Sequence, residues 1–302
     1  MCLTLEDPAV VREALGDITV VLNSAGPFQR TAKPLIDACL HTGAHYLDLA
    51  GEVPEFRLAA GRDEEARAAG VMLLPGAGFG VVPTGSLAVH LHRRPPDADR
   101  LEIAFQTIGG IFRGTATTLL RDLPRTGVRL HAGVYLPQWA RSHHYEDRLR
   151  HGTHHRGRQP LARGSVTSSH STGIRTIDTC TALPAPVRVL MKLAARMPAV
   201  FTSSPWRGIT HALVRRLPPG PSEAALADGS SHIWAQASTQ EGQRVAAVLH
   251  GPDAYEFTAR TAQVLLQRTL DGQATPGFQA PASAHGPDLV LTIPDASRQD
   301  LA

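Results

Sequence analysis

The feature that most constrains the fold is the run V-V-L-N-S-A-G-P-F at residues 20–28. A β-branched, apolar stretch ends in Asn23, a Gly-Pro pair follows, and a helix-length segment begins near Thr31. This order predicts a strand that leads through a tight loop into a helix. Sheets of alternating strands and helices hold their ligands beyond such strand ends. The run therefore predicts an α/β fold with a binding site early in the chain.

Strands and helices alternate through the first third of the chain, and glycine and proline mark the helix ends. Pro54 occupies a first-turn position, where its missing N–H costs nothing, and Gly43 and Gly70 follow predicted helix ends. The predicted strands are 18–22, 45–49 and 71–74, and the predicted helices are 10–15, 31–41, 54–69 and 83–92. Strands separated by helices of this length predict a parallel sheet with right-handed crossovers.

The pattern changes after Pro96, which predicts one domain at 1–96 and a second, α+β domain at 97–302. Glu241-Gly242 lies between two strand-like runs and predicts a hairpin. Residues 139–175 have little periodicity and predict irregular chain, and the last residues are expected to fray. The predicted elements are strands at 101–108, 128–136, 231–238, 244–249 and 289–293, and helices at 114–123, 186–197, 206–217 and 253–270.

Composition argues against several classes of protein. The chain has 302 residues, of which 42% are apolar and 19% charged, as in ordinary globular proteins. Its net charge is only +3 and its aromatic share is 5%, so nucleic acid is not an expected partner. Neither a charged-plus-apolar leader nor an apolar run of membrane-spanning length is seen in the sequence. We therefore expect a cytoplasmic protein.

The cysteines and histidines predict no metal site. The three cysteines are far apart and form no C-x-x-C pair, so neither a disulfide framework nor a structural zinc site is expected. A histidine-rich stretch lacks the His-x-His or His-x₃-His spacing, with a nearby carboxylate on one helix, that zinc favours, and it predicts a solvated loop. Its histidines are His143, His144, His151, His154 and His155.

Basic residues recur every four positions in the predicted helix 186–197, at Arg188, Lys192 and Arg196. Two interpretations of this helix stay open. It lies on an anionic membrane or accepts a lipid-like acyl substrate, or it is a domain-surface helix with one apolar stripe.

Several motifs in a fixed order carry a resemblance to a known family. The longest is N-S-A-G-P-F-Q-R-T-A-K-P-L-I-D-A-C-L-H-T-G-A-H-Y-L-D-L-A-G-E at 23–52. The others are P-G-A-G-F-G-V-V-P-T (75–84), G-T-A-T-T (114–118), S-T-G-I (171–174), G-P-S-E (220–223) and P-G-F-Q-A-P-A-S-A-H-G-P-D (276–288). Together they resemble the saccharopine dehydrogenase-like oxidoreductases, and within them the bacterial branch that includes trans-acting enoyl reductases.

The resemblance implies an NAD(P)-binding Rossmann domain followed by a domain that shapes the substrate pocket and often a dimer contact. It also implies that the first loop lies beside the dinucleotide. The implied cofactor-binding residues are Asn23, Ala25, Gly26, Pro27 and Phe28. Taken without the resemblance, the same loop is an ordinary strand-to-helix turn.

The next two strand ends supply further candidate pocket residues. The residues Tyr46, Asp48, Gly51 and Glu52 lie at the end of the second strand. There the two carboxylates either hydrogen-bond a ribose or substrate amine, or position a proton donor, or they cap the helix at Pro54. Beyond the third strand, a turn near the nicotinamide is expected, with an aromatic wall. Its candidate residues are Gly76, Gly78 and Phe79. None of these residues identifies itself as the catalytic acid.

The same resemblance places the family's first strand, glycine-rich phosphate loop and second strand–helix unit before Leu3. We therefore expect only the later strands of the Rossmann sheet here, and poor or no binding of NADPH by this chain alone, since that loop normally holds the pyrophosphate. The expected function is NAD(P)H-dependent reduction of a C=C or C=N bond in a small-molecule or lipid-like substrate. The alternatives are a non-catalytic remnant that binds or dimerises, and a peripheral lipid-binding protein.

Overall fold

The computed structural model describes residues 4–110, 112–122, 127–138, 158–160, 165–182 and 185–301. The helices in these ranges are α1 (Pro8–Ala14), α2 (Phe28–Thr42), α3 (Val53–Ala60), α4 (Asp63–Ala68), α5 (Val82–His92), α6 (Arg113–Asp122), α7 (Ser165–Thr172), α8 (Ala185–Arg196), α9 (Pro198–Phe201), α10 (Ser204–Arg216), α11 (Glu223–Ala227), α12 (Ala254–Leu270) and α13 (Pro281–His285). The strands are β1 (Val20–Asn23), β2 (His45–Asp48), β3 (Met72–Leu74), β4 (Arg100–Ile108), β5 (Gly127–His131), β6 (Val134–Gln138), β7 (Arg158–Pro160), β8 (Thr176–Ala182), β9 (Ser230–Ser238), β10 (Arg244–Pro252), β11 (Gly277–Phe278) and β12 (Ser297–Leu301).

The first sheet has the order β1-β2-β3-β11, and all of its pairings are parallel. In this register Asn23 lies beside Asp48, and Leu47 lies beside Leu74. The three predicted strands and the helices between them are therefore present, and the predicted α/β class is confirmed. Since parallel neighbours point the same way, the carboxyl ends of β1, β2 and β3 lie at one edge of the sheet.

One predicted helix is divided in two. The sequence predicts a single helix over 54–69, whereas the structure ends α3 at Ala60 and begins α4 at Asp63. Gly61 is a weak helix former, and the guanidinium of Arg62 bonds Asp37 of α2 at 2.6 Å. The acidic residues at the start of α4 favour a new helix N-terminus there.

The second sheet has the order β12-β10-β9-β4-β8-β5-β6, with β7 also paired to β8. Within it β4 and β8 are parallel, and the other pairings are antiparallel. The predicted hairpin around Glu241-Gly242 is confirmed by the β9–β10 pairing. The predicted strand 128–136 is instead the hairpin β5–β6, because Ala132 and Gly133 both adopt positive φ angles, 49° and 83°.

The end of the chain differs from the prediction. Residues Leu289–Thr292 form a 3₁₀ turn rather than a strand, and a short apolar run of this kind fits either a buried turn or a strand. The terminal residues predicted to fray form β12, which pairs with β10. Asp300 of β12 also bonds Arg94 at 2.6 Å and His90 at 2.8 Å. These contacts fix the end of the chain.

Part of the predicted irregular segment is helical. Residues 165–172 form α7, whose Thr172 hydroxyl donates to the carbonyl of Ser168 at 2.7 Å. The histidine-rich stretch of the prediction lies outside the described residues. The division into domains 1–96 and 97–302 stays a prediction. Strand β11, from the second range, adds a strand to the first sheet.

Helix α12 packs against the first sheet, so the C-terminal part of the chain covers the strands formed by its beginning. Leu265 and Ala262 of α12 are buried in one core with Leu47, Leu74 and Val82. Among the helices that the structure describes, none combines the length and apolar character needed to cross a bilayer.

Candidate functional site

The carboxyl ends of β1, β2 and β3 converge on one hydrogen-bonded cluster, which we call the strand-end network. Its members are Asn23, Thr31, Tyr46, Asp48 and Gly76. Strands β1 and β2 place their last residues, Asn23 and Asp48, at the same edge as the loop after β3, because the sheet is parallel. The network therefore joins three segments that the sequence analysis treats separately.

Asn23 connects the first loop to the second strand. Its amide nitrogen donates to the Tyr46 hydroxyl at 3.1 Å and to the Thr31 hydroxyl at 3.0 Å. Its amide oxygen accepts from the Ala25 N–H at 3.1 Å, while the Thr31 hydroxyl donates to the Ala25 carbonyl at 2.8 Å. Asn23 is buried, and through these bonds its side chain holds the shape of the loop. Its contact with a cofactor stays a prediction.

Asp48 connects the second strand to the third loop. One carboxylate oxygen accepts from the Gly76 N–H at 2.8 Å and the Ala50 N–H at 2.9 Å. The other accepts from the Tyr46 hydroxyl at 2.9 Å. Asp48 is 1% exposed, and this burial raises its pKa from 3.8 to about 6, although the three hydrogen bonds oppose the shift.

Tyr46 is buried between Asn23 and Asp48. Burial raises the pKa of its hydroxyl above the ordinary value of 10.0, and the neighbouring Asp48 carboxylate raises it further. The hydroxyl therefore stays protonated near neutral pH and donates to Asp48. This arrangement holds two strand ends together.

Glu52 and Gly51 lie in the loop between β2 and α3, next to the buried network. The Glu52 carboxylate accepts from the Gly51 N–H at 2.8 Å, and both residues are half-buried. Glu52 occupies the N-cap position of α3, but its side chain makes no capping bond. Both oxygens of Asp48 bind other donors, so the predicted capping of α3 by these carboxylates is not present as a hydrogen bond.

The loop after β3 is buried under α12. Gly76 has φ = +82°, and a Cβ there would lie 2.9 Å from Phe56 and Val81, so only glycine fits. A Cβ at Gly78 would lie 3.0 Å from Thr258. Phe79 packs edge-on against the rings of Phe105 and Phe257, with centroids 5.9 and 5.7 Å away. The role of these residues as a pocket wall stays a prediction.

The first loop, by contrast, is open to solvent. Residues 24–27 are exposed and Phe28 is half-buried. A Cβ at Gly26 would meet nothing within 4 Å, so its outward side is free space. Among the described residues no side chain caps α2, which begins directly after Pro27, so first-turn N–H groups and a positive dipole end lie next to this loop. Such a surface suits an anionic or polar ligand.

Comparison with known sequences supports the predicted resemblance, although no family model matches the chain. A probable mitochondrial saccharopine dehydrogenase-like oxidoreductase of Arabidopsis thaliana is 34% identical over 79 residues, which are 26% of this chain and 17% of the relative. A trans-acting enoyl reductase of Mycobacterium leprae is 34% identical over 88 residues, which are 29% of this chain and 21% of the relative. The matches thus span about a fifth of the length of these curated relatives.

Over about a quarter of its length, the chain is similar in sequence to saccharopine dehydrogenase-like oxidoreductases and trans-acting enoyl reductases. Two solved structures have a similar fold over all of this chain. Saccharopine dehydrogenase (L-Glu forming) from Saccharomyces cerevisiae has a TM-score of 0.62 at 12% identity, with 89% of its own chain covered. Homospermidine synthase from Legionella pneumophila, solved in complex with NAD, has a TM-score of 0.54 at 11% identity, with 80% covered. At these identities the likeness concerns the fold alone.

Sequence reasoning missed the contribution of α12 to this region. The Thr258 hydroxyl accepts from the Phe79 N–H at 3.1 Å, and the Thr261 hydroxyl donates to the Ala77 carbonyl at 2.7 Å. The two threonines are three positions apart, so they lie on one face of the helix. Polar residues at this spacing on the buried face of a helix are a signal that would have identified the contact.

It also missed a cleft of about 830 Å³ at the start of α12. One motif of the family resemblance lines it, and a second contacts Tyr255 of its lining. Pro221 and Glu223 line the cleft together with Tyr255, and the Tyr255 hydroxyl is 2.5 Å from that of Thr115. Motifs about a hundred positions apart in the sequence are therefore brought together by the second half of the fold.

Proposed function

We propose that this chain forms part of the nicotinamide-dinucleotide site of an NAD(P)H-dependent oxidoreductase. The observation that carries the proposal is the strand-end network, which holds the exposed first loop at the edge where three parallel strands end. In open α/β sheets this edge is where ligands bind. The relation to saccharopine dehydrogenase-like oxidoreductases supports the same assignment.

The residues of the first loop fit a dinucleotide. Ala25, Gly26 and Pro27 are exposed, and Gly26 leaves free space into which a flat or anionic group can approach the backbone. The uncapped start of α2 adds N–H donors on the same side. Asn23 and Phe28 complete the loop, the first as its internal brace and the second as a half-buried apolar contact.

The bound cofactor would supply a hydride, and the protein supplies position. In this proposal Tyr46 and Asp48 keep the strand ends in register, while Gly51, Glu52, Gly76, Gly78 and Phe79 shape the surrounding pocket. The reduced bond is a C=C or C=N bond of a small-molecule or lipid-like substrate. The mycobacterial relatives named as enoyl reductases support the C=C alternative.

Saturation-transfer NMR with NADPH and NADH tests the proposal, because it detects weak binding. We expect transfer from the purified chain to the cofactor, with a dissociation constant above the micromolar range. The substitution Ala25→Glu places a negative charge on the loop and should reduce the transfer to background, since it repels the diphosphate.

Ala69→Glu is the matched control, because it adds the same charge at an exposed alanine beyond α4. It should leave the transfer unchanged. Absence of transfer in the wild-type chain contradicts the proposal, and equal transfer in Ala25→Glu contradicts the contact with this loop. Thermal melting of both variants checks that the fold is intact.

A further inference from the structure

Helices α8, α9 and α10 follow one another along the chain and expose a set of large apolar side chains, which we call the α8–α10 face. These side chains are between 45% and 57% exposed. They are Val189, Leu193, Met197, Val200, Ile209 and Leu213. Residues 189, 193 and 197 are four positions apart, as are residues 209 and 213, so each set forms a stripe along one side of its helix. Exposed apolar residues grouped in this way mark a surface that contacts something.

The opposite sides of these helices hold them to the rest of the protein. Ala194 and Val214 are buried, and the Ser203 hydroxyl accepts from the Trp206 N–H at the start of α10. The guanidinium of Arg113 in α6 bonds the carbonyls of Arg215 at 3.1 Å and Leu217 at 3.0 Å. The exposed stripes are therefore the outward side of an anchored structure.

The charge around this face has a single sign. Between Asp178 and Glu223 the sequence contains six Lys and Arg residues and no Asp or Glu. Lys192 and Arg196 are exposed beside the stripe of α8, and Arg216 is exposed on α10. The aromatic rings of Phe201 and Trp206 pack together at 4.5 Å between the helices. Apolar stripes bordered by cations, with a tryptophan close by, are the composition of helices that lie in a membrane interface.

We propose that the α8–α10 face binds the surface of an anionic lipid bilayer. The apolar stripes enter the headgroup boundary, and the basic side chains contact the lipid phosphates. A second copy of the chain suits the face less well, because a two-fold contact sets the exposed cations Lys192, Arg196 and Arg216 against their own copies. The proposal is independent of cofactor binding by the first loop.

Vesicle flotation tests the proposal with the intact chain. We expect binding to vesicles that contain phosphatidylglycerol and at least tenfold weaker binding to vesicles of phosphatidylcholine alone. Binding should fall as salt is raised, because exposed charges are screened. The double substitution Leu193→Glu with Leu213→Glu should reduce binding by at least tenfold.

Leu270→Glu is the matched control for the apolar stripe, since Leu270 is 52% exposed at the end of α12 and distant in sequence from the face. For charge, Lys192→Glu with Arg196→Glu should also weaken binding, whereas Arg244→Glu on β10 should not. Circular dichroism melts check that each variant is folded.

Three results would overturn the proposal. One is absence of wild-type binding to the anionic vesicles, and another is equal binding by the double leucine variant. The third is a dimer in light scattering that Leu193→Glu dissociates while vesicle binding is absent, which would assign the face to a second copy of the chain.

Discussion

The strand-end network and the α8–α10 face differ in how far other parts of the chain bind or cover their side chains. In the network each polar atom of Asn23 and Asp48 bonds a group from a neighbouring segment of the same chain. On the face, Leu193 and Leu213 are about half exposed although their helices are anchored on the other side. The first region is complete within the chain, whereas the second has apolar area that nothing in the described residues covers.

This difference predicts how the stability of the protein responds to substitutions in each region. Changes at the network remove internal contacts and should reduce the free energy of unfolding. Changes on the face remove no internal contact and should alter binding alone.

The largest effect is expected from the same substitution, leucine to alanine, made in the core beneath the network and on the α8–α10 face. Leu47 is 0% exposed in the core beneath the network, and Leu213 is 55% exposed. Leu47→Ala should lower the free energy of unfolding by about 2–5 kcal/mol, because it leaves a cavity. Leu213→Ala should change it by less than about 0.5 kcal/mol. Urea unfolding measures both, and a loss of more than about 2 kcal/mol at Leu213 would remove the contrast.

Much of the fold was predictable because its signals are local. The strands β1, β2 and β3 follow short apolar runs, and Gly43, with φ = +84°, ends α2 as the sequence predicts. Two of the errors occur where a long-range contact decides the structure. Arg62 divides a helix by bonding Asp37, and Asp300 orders the last strand through Arg94 and His90.

The location of the candidate site was predictable from the sequence, but the hydrogen bonds within it were not. The strand ends identified Asn23, Tyr46 and Asp48, which the structure brings together. Their mutual bonds depend on which oxygen meets which donor, and no sequence pattern encodes that. The spacing of Thr258 and Thr261 on one helix face indicated a buried contact, but not its partner, since Ala77 is 184 positions away from Thr261 in the sequence.

Asp48 gives a second test, because its stability contribution depends on pH. Its folded pKa, about 6, lies above the ordinary value of 3.8, so the folded state binds the proton more tightly. The stabilising contribution is therefore complete below about pH 4 and is lost as pH rises through about 6. The difference between 3.8 and about 6 corresponds to about 3 kcal/mol.

Asp48→Asn removes this titration while it keeps an oxygen for the Gly76 and Ala50 N–H groups. Urea unfolding of both proteins at about pH 4 and pH 7 should show wild type losing about 2 kcal/mol relative to the variant. Asp17→Asn, at an exposed position, is the matched control and should follow wild type within about 0.5 kcal/mol. Parallel curves for wild type and Asp48→Asn would contradict the buried, charge-bearing network.

The smallest effect is expected where α12 holds the third loop. Thr261→Val keeps the shape of the side chain but removes the hydroxyl that donates to the Ala77 carbonyl at 2.7 Å. A buried hydrogen bond of this kind contributes about 1 kcal/mol. The matched control is Thr4→Val at an exposed threonine.

Because Ala77 also donates its N–H to the Asp48 carbonyl at 2.7 Å, the loss should extend to the network. Amide hydrogen exchange at Gly76 and Ala77 should therefore accelerate in Thr261→Val alone, and equal rates in both variants would show that α12 does not support the strand-end network.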